Sequence, residues 1–374
     1  MKYCILFILS ISLFSCNHSK SEEKQLYKVG FKTIHITDKT RKYKHGVDSS
    51  NALYYRPIDI DIWYPAKDSL SGSLIRFGDY LNLFEQRANF YTASTHADGL
   101  AMKFAKMLSE GFQCSDSISL LNLPTQTYKN AKAIEKNFPV IVYMASYNGM
   151  GYENYLLFET LVRKGFIVVG VNSIGRFPGD MTMKKEDAME QVNDALASVK
   201  YLETYSNIKF NNIAVMGYSW GGLTGALVAG KIPNVKCIVS LEGSEVHHYG
   251  YAKEEDADFD SILHSLDFQK MSLKNPYLRF ESSPINQKPS KDSVSNFLEK
   301  VSEDYLILKV DSAEHSDFSA YPSSVKSSGN CKNSQLYETI TKLTSAYLEE
   351  HLQGNKFFGN VLESELKSKS VKRR

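Results

Sequence analysis

The segment that most constrains this chain lies past its midpoint. Four apolar residues, Ile213-Ala-Val-Met216, run straight into Gly217-Tyr-Ser-Trp-Gly221, and a stretch of small residues from Gly222 to Gly230 leaves it. A short, uniformly apolar run is a strand buried on both faces, and the small residues that follow suit a closely packed helix. Ser219 then sits on a tight strand-to-helix turn, where the flanking glycines let backbone and neighbouring helix approach. Such a turn exposes the Ser219 hydroxyl and points the helix N-terminus at it. The amide of Trp220 is thereby placed to stabilise an oxyanion.

A turn of this kind needs a sheet around it, and the chain supplies one. Pro139-Val-Ile-Val-Tyr-Met144, Phe166-Ile-Val-Val-Gly-Val171, Cys237-Ile-Val-Ser-Leu241 and Tyr305-Leu-Ile-Leu-Lys-Val310 repeat the buried-strand pattern. Tyr277 to Phe280 is a further strand of the same style. Helical patterns fall between them: Glu153 to Lys164, stopped by Gly165, then about 185–204, and a closing helix ended by Gly354. This alternation is that of an α/β protein with a mostly parallel sheet and crossover helices. Leu26 to Thr37 and Ile58 to Tyr64 alternate apolar and polar residues, as half-buried antiparallel strands do. Two stretches break the rhythm, at about 70–135 and 244–275. The first holds helix-like Phe77 to Phe90 and Leu100 to Glu110, and it is expected to supply much of a substrate pocket. His247 and His248, in the second, read as surface or lid residues. The expected organisation is one domain over 26–354 with these insertions, and a frayed tail over 355–374.

The first residues carry an address. Lys2 precedes an apolar stretch from Tyr3 to Phe14, too short to span a bilayer, and Leu13-Phe14-Ser15-Cys16 resembles a bacterial lipobox. Residues 1–15 are expected to be a lipoprotein signal peptide, with Cys16 lipidated and 16–25 a tether. The expected location is the bacterial cell envelope, with the chain anchored to a membrane, the outer one favoured, by its lipid. Of the remaining cysteines, Cys237 lies in a strand and packs as a small hydrophobe. Cys114 and Cys331 lie in polar loops and are the pair available for a disulfide in an oxidising compartment. The 44 Lys+Arg against 42 Asp+Glu leave a net charge of +2 without a basic face, so nucleic acid is not an expected partner. No clustered His/Cys spacing suggests a structural zinc.

A serine hydroxyl needs a base to take its proton. His315 stands just past the Tyr305 to Val310 strand, in Ser312-Ala-Glu-His-Ser-Asp-Phe318, and is the expected base. A carboxylate should orient its imidazole and balance the charge that develops there. Glu242, on the turn that ends Cys237 to Leu241, is favoured, with Glu281 and Asp311 behind it. A second oxyanion donor should come from Ala145-Ser-Tyr-Asn-Gly-Met-Gly151, as the amide of Ser146 or of Tyr147.

These residues resemble those of an α/β-hydrolase, and more narrowly the platelet-activating-factor acetylhydrolase and dienelactone-hydrolase-like group. The resemblance is carried by Arg56-Pro-Ile-Asp-Ile-Asp-Ile-Trp-Tyr-Pro-Ala66, Glu153-Asn-Tyr155, Gly217-Tyr-Ser-Trp-Gly-Gly222 and His315 followed by Phe318, and it spans most of 26–352. It implies a mostly parallel eight-stranded sheet with helices on both faces. It also implies an acid after the sixth strand, which supports Glu242. Dienelactone hydrolases proper use a cysteine nucleophile, so Ser219 separates this chain from that activity. The implied activity is hydrolysis of a carboxylic ester, with a small acyl group on a lipid, carbohydrate or other small molecule. A thioesterase, a peptidase or a binding protein that retains the fold are the alternatives. No metal or organic cofactor is required.

Overall fold

The short apolar runs become the centre of one sheet. The computed structural model describes residues 26–67, 72–92, 98–176, 181–205, 212–246, 252–282, 296–301, 304–332 and 335–374. The expected signal peptide, Cys16, the tether, His247 and His248 lie outside these residues. The strands are β1 (Lys28–Lys42), β2 (Tyr55–Ala66), β3 (Ser73–Arg76), β4 (Pro124–Lys129), β5 (Val140–Met144), β6 (Ile167–Val171), β7 (Ile213–Tyr218), β8 (Val235–Leu241), β9 (Tyr277–Glu281), β10 (Tyr305–Val310) and β11 (Val371–Arg373). They form an 11-stranded sheet in the order β11-β10-β9-β8-β7-β5-β6-β2-β1-β4-β3. From β6 across to β10 the neighbours are parallel, and β2 joins β6 antiparallel.

The helices are α1 (Phe77–Thr92), α2 (Leu100–Phe112), α3 (Ser117–Leu121), α4 (Tyr155–Arg163), α5 (Lys185–Leu202), α6 (Trp220–Ala229), α7 (Lys253–Leu263), α8 (Leu266–Gln269), α9 (Tyr321–Ser328), α10 (Gln335–Gln353) and α11 (Phe358–Lys367). Alternate strand residues feed two cores. Ile141 and Tyr143 pack with Phe158 of α4 and Leu343 of α10, while Val140 and Val142 pack with Val192 of α5 and Leu223 of α6. A strand buried on both faces has no polar side to show, which is why β5, β6 and β7 read as unbroken apolar runs.

Three departures from the sequence reading concern the edges. The sheet has three strands beyond the expected eight: β3, β4 and β11. β3 and β4 come from the first insertion, whose polar-apolar alternation is too short to announce a strand until β1 offers an edge to pair with. The tail expected to fray instead forms α11 and β11, and β11 covers the open edge of β10. Leu362 and Val371 are buried there, so the basic residues between and beyond them ride on an apolar anchor. The disulfide Cys114–Cys331 is formed, with Cα atoms 6.3 Å apart. It fastens the end of α2 to the end of α9 across 217 residues of chain. Buried arginines are paired, as burial demands: Arg56 with Asp194 at 2.6 Å and Arg87 with Asp61 at 2.7 Å.

Candidate active site

Ser219 is the one residue between β7 and α6, with φ 56 and ψ −122. A side chain at positive φ is strained by roughly 1–3 kcal/mol and persists only where its surroundings hold it. Here the Ser219 amide donates to Leu241 O at 3.0 Å, and its carbonyl accepts from Gly222 and Ser244, each at 2.9 Å. The flanking glycines serve close approach. A Cβ on Gly217 would stand 1.9 Å from Gly221 O, and one on Gly221 would stand 2.0 Å from Met144 O.

His315 opens a short 3-10 turn, His315–Phe318, directly beyond β10. Its Nε2 lies 2.9 Å from Ser219 Oγ, a hydrogen bond between residues 96 apart in sequence. Tyr218, the residue before the serine, holds the histidine from the other side. Its ring stacks on the imidazole at 5.0 Å and 30°, and its hydroxyl donates to His315 O at 2.9 Å.

The carboxylates arrange themselves differently from expectation. Glu242 stands at the expected place after β8, but in a left-handed conformation, φ 49, with its amide on Phe280 O at 3.0 Å. That turn carries its side chain over the end of β9. There one oxygen accepts from Ser282 Oγ at 2.9 Å and the other from the Ser282 amide, so Glu242 is engaged by Ser282 and not by His315. Burial lifts its carboxyl above the ordinary range, against the pull of Arg279. Glu281 is a structural partner: it accepts from Arg279 Nε and Arg374 Nη1, each at 2.9 Å. Burial opposes its ionisation, but Arg279 and Arg374 outweigh burial and hold it below the ordinary range. Asp311 lies at the surface, 3.4 Å from Lys372 Nζ.

In the loop after β5, the two amides left open as oxyanion donors, Ser146 and Tyr147, are engaged differently. The Ser146 amide donates to Glu153 Oε1 at 2.8 Å and its hydroxyl to Glu153 Oε2 at 2.6 Å, so that amide is committed inward. The Tyr147 amide takes no acceptor among the described residues. Its ring meets Trp220 edge-on at 6.1 Å, and its hydroxyl donates to Met181 O. Trp220 begins α6, and the first amides of a helix have no acceptor inside it. A cavity of about 240 Å³ opens on the same loop, walled by Phe84 of α1, Phe104 of α2, Met150 and Tyr321. The first insertion thus reaches the loop after β5. Among the described residues no group of three or more His, Cys, Asp or Glu is placed to hold a metal ion.

Two residues of this site escaped the sequence reading. Tyr218 fell inside the serine motif as its unspecified position. Glu153 was visible only as part of a helix start, because nothing in a sequence says that a glutamate is buried. Burial lifts the Glu153 carboxyl to about 7, against the hydrogen bonds it accepts.

A family model for the X-Pro dipeptidyl-peptidase (S15 family) matches residues 122–268, a span that holds Ser219 and Glu242 and ends before His315. No curated protein matches the sequence. Among solved structures, a ferulic acid esterase from Streptomyces cinnamoneus superposes with a TM-score of 0.58 at 16% identity, over 88% of this chain and 91% of that one. The chain has the α/β-hydrolase fold, and both likenesses are to hydrolases, one a peptidase and one an esterase.

Proposed function

We propose that this α/β-hydrolase-fold chain is a serine hydrolase that cleaves a carboxylic ester through an acyl-enzyme. The observation that carries the reading is the 2.9 Å contact between His315 Nε2 and the hydroxyl of a serine held at φ 56. His315 accepts the hydroxyl proton as Ser219 Oγ bonds to the acyl carbon, and the carbonyl electrons move onto oxygen. The oxyanion is received by the amides of Trp220 and Tyr147. As it collapses, the bond to the leaving alcohol breaks and His315 returns the proton to that alcohol. Water repeats the sequence, with His315 as base, to release the acid and restore Ser219. Glu242 is the acid assigned to the third role, and turning its carboxylate from Ser282 toward His315 would complete it. Glu281 is not assigned that role, since Arg279 and Arg374 occupy it.

Labelling with a fluorophosphonate probe, read by intact mass, tests the reading. One adduct on Ser219 is expected, absent in Ser219→Ala and lost in His315→Ala. Glu242→Gln should slow labelling, and Glu281→Gln should not. A folded chain that takes no adduct would refute the hydrolase and favour a binding role. The S15 match supports a second reading, a peptidase acting after X-Pro. Acetyl, long-chain and feruloyl esters, a thioester and an X-Pro anilide, assayed side by side, separate the two and test the preference for a small acyl group. The Cys16 motif supports attachment to a bacterial envelope membrane, which fails if Cys16→Ala leaves lipid labelling of the cells' protein unchanged.

A further inference from the structure

Glu153 and Asn154 lead into α4, and both are buried, with 1% and 0% of their surface exposed. Between them they touch both loops of the proposed site. The Glu153 carboxylate accepts from the Ser146 amide and hydroxyl and, at 2.8 Å, from Tyr143 OH. Its main-chain oxygen accepts from the amide of Ala320 at 3.0 Å. Asn154 Nδ2 donates to Phe318 O at 3.1 Å and to Tyr143 OH at 2.8 Å, while its Oδ1 accepts from Tyr337 OH at 2.9 Å. Phe318 closes the turn that His315 opens.

We infer that Glu153, seconded by Asn154, is a positioning residue of the ester-cleaving site. Its carboxylate fixes the loop that presents the Tyr147 amide, and its main-chain oxygen fixes the segment that presents His315. The inference rests on the reading of Ser219 and His315 given above. The chemistry of the contact favours a carboxylate. Ser146 offers two donors on neighbouring atoms, and a carboxylate offers them two acceptor oxygens in one plane. With the Ser146 amide drawn inward, the next N–H, that of Tyr147, is the one left to face a substrate. The Gly149 amide donates to Ser146 O at 2.8 Å, which closes the turn and polarises the peptide that carries the Tyr147 N–H. A Cβ at Gly149 would stand 2.5 Å from Ser146 Oγ and 2.6 Å from Glu153 Oε2, so the loop is packed onto the carboxylate.

The titratable groups that face Glu153 are tyrosines: Tyr143 of β5, Tyr152 on its own approach, Tyr321 of α9 and Tyr337 of α10. Desolvation by this apolar setting raises the carboxyl to about 7, so the clamp changes charge near neutrality. A glutamine keeps the geometry without the charge. The Ser146 amide and Tyr143 hydroxyl both land on Oε1, and an amide nitrogen at the other position can donate to Ser146 Oγ.

The test uses the full chain after Cys16, with a 4-nitrophenyl ester as substrate and an arylboronic acid as the tetrahedral probe. Glu153→Ala should lower kcat at least about 100-fold with KM little changed, because the donor it positions acts on the transition state. Boronic acid affinity should fall in parallel. Glu153→Gln should recover most of kcat and remove one ionisation near pH 7 from the kcat/KM profile. A folded Glu153→Ala with kcat within about threefold of wild type overturns the inference, as does an unchanged pH profile in Glu153→Gln. If Glu153→Ala does not fold, Ser146→Ala carries the test: a fall in kcat of about tenfold supports the clamp, and an unchanged kcat refutes it. A folded wild-type chain that neither turns over ester nor labels sinks the parent reading first, and the two failures are therefore distinct.

Discussion

Glu159 offers a measurement of what burying a lone carboxylate costs this fold. It lies on the sheet side of α4 with 3% of its surface exposed, beneath β4. Burial lifts its carboxyl to about 7, while the Gln126 amide and Thr127 hydroxyl, each 2.7 Å from Oε1, pull the other way. In the unfolded chain a glutamate titrates near 4.3. The folded state therefore binds the proton more tightly. Stability from this group is fully present below about pH 4.3 and is lost as pH rises through about 7. At about 1.4 kcal/mol per unit, the loss by pH 8 is about 4 kcal/mol. Glu159→Gln removes the charge and keeps both hydrogen bonds, since both land on one oxygen. Urea unfolding at pH 5, 6, 7 and 8 should find the variant within about 1 kcal/mol of wild type at pH 5 and about 4 kcal/mol more stable at pH 8. Glu153 titrates in the same window, but it is common to both proteins and cancels in the difference. A variant no more stable than wild type at pH 8 would show that the ionised carboxylate is solvated in the folded chain, and the reasoning would fail.

The Cys114–Cys331 bond closes a loop of 217 residues, which in the chain-entropy account is worth about 5 kcal/mol. Cys114→Ser/Cys331→Ser should therefore melt about 7 °C below the oxidised protein in calorimetry, and a difference under about 2 °C would rule out that account. Gly221→Ala drives a Cβ into the main-chain oxygen of Met144 and should abolish fluorophosphonate labelling at a cost above about 3 kcal/mol. Gly46→Ala, with nothing within 4 Å of the added carbon, is its control. A Gly221→Ala chain that labels like wild type would refute the close-approach argument for the turn.

Strand identity was legible wherever a strand is buried on both faces, because no polar residue can be afforded there: β5, β6 and β7 follow the apolar runs closely. The serine turn was legible for the same local reason, since its glycines are required by backbone contact within a few residues. His315 could be placed from its position after the last apolar run. Edges and partners could not. β3, β4 and β11 exist because a neighbour offers unpaired backbone groups, and their own residues are too few to declare it. Carboxylate roles also belong to tertiary structure. Glu242, Glu281 and Glu153 are the same residue type near the same sheet edge. One turns to Ser282, one is taken by two arginines, and one is buried under the loop that carries Tyr147. A sequence fixes what a side chain can accept or donate. Which partner comes within 3 Å of it is decided by the elements that the fold brings beside it.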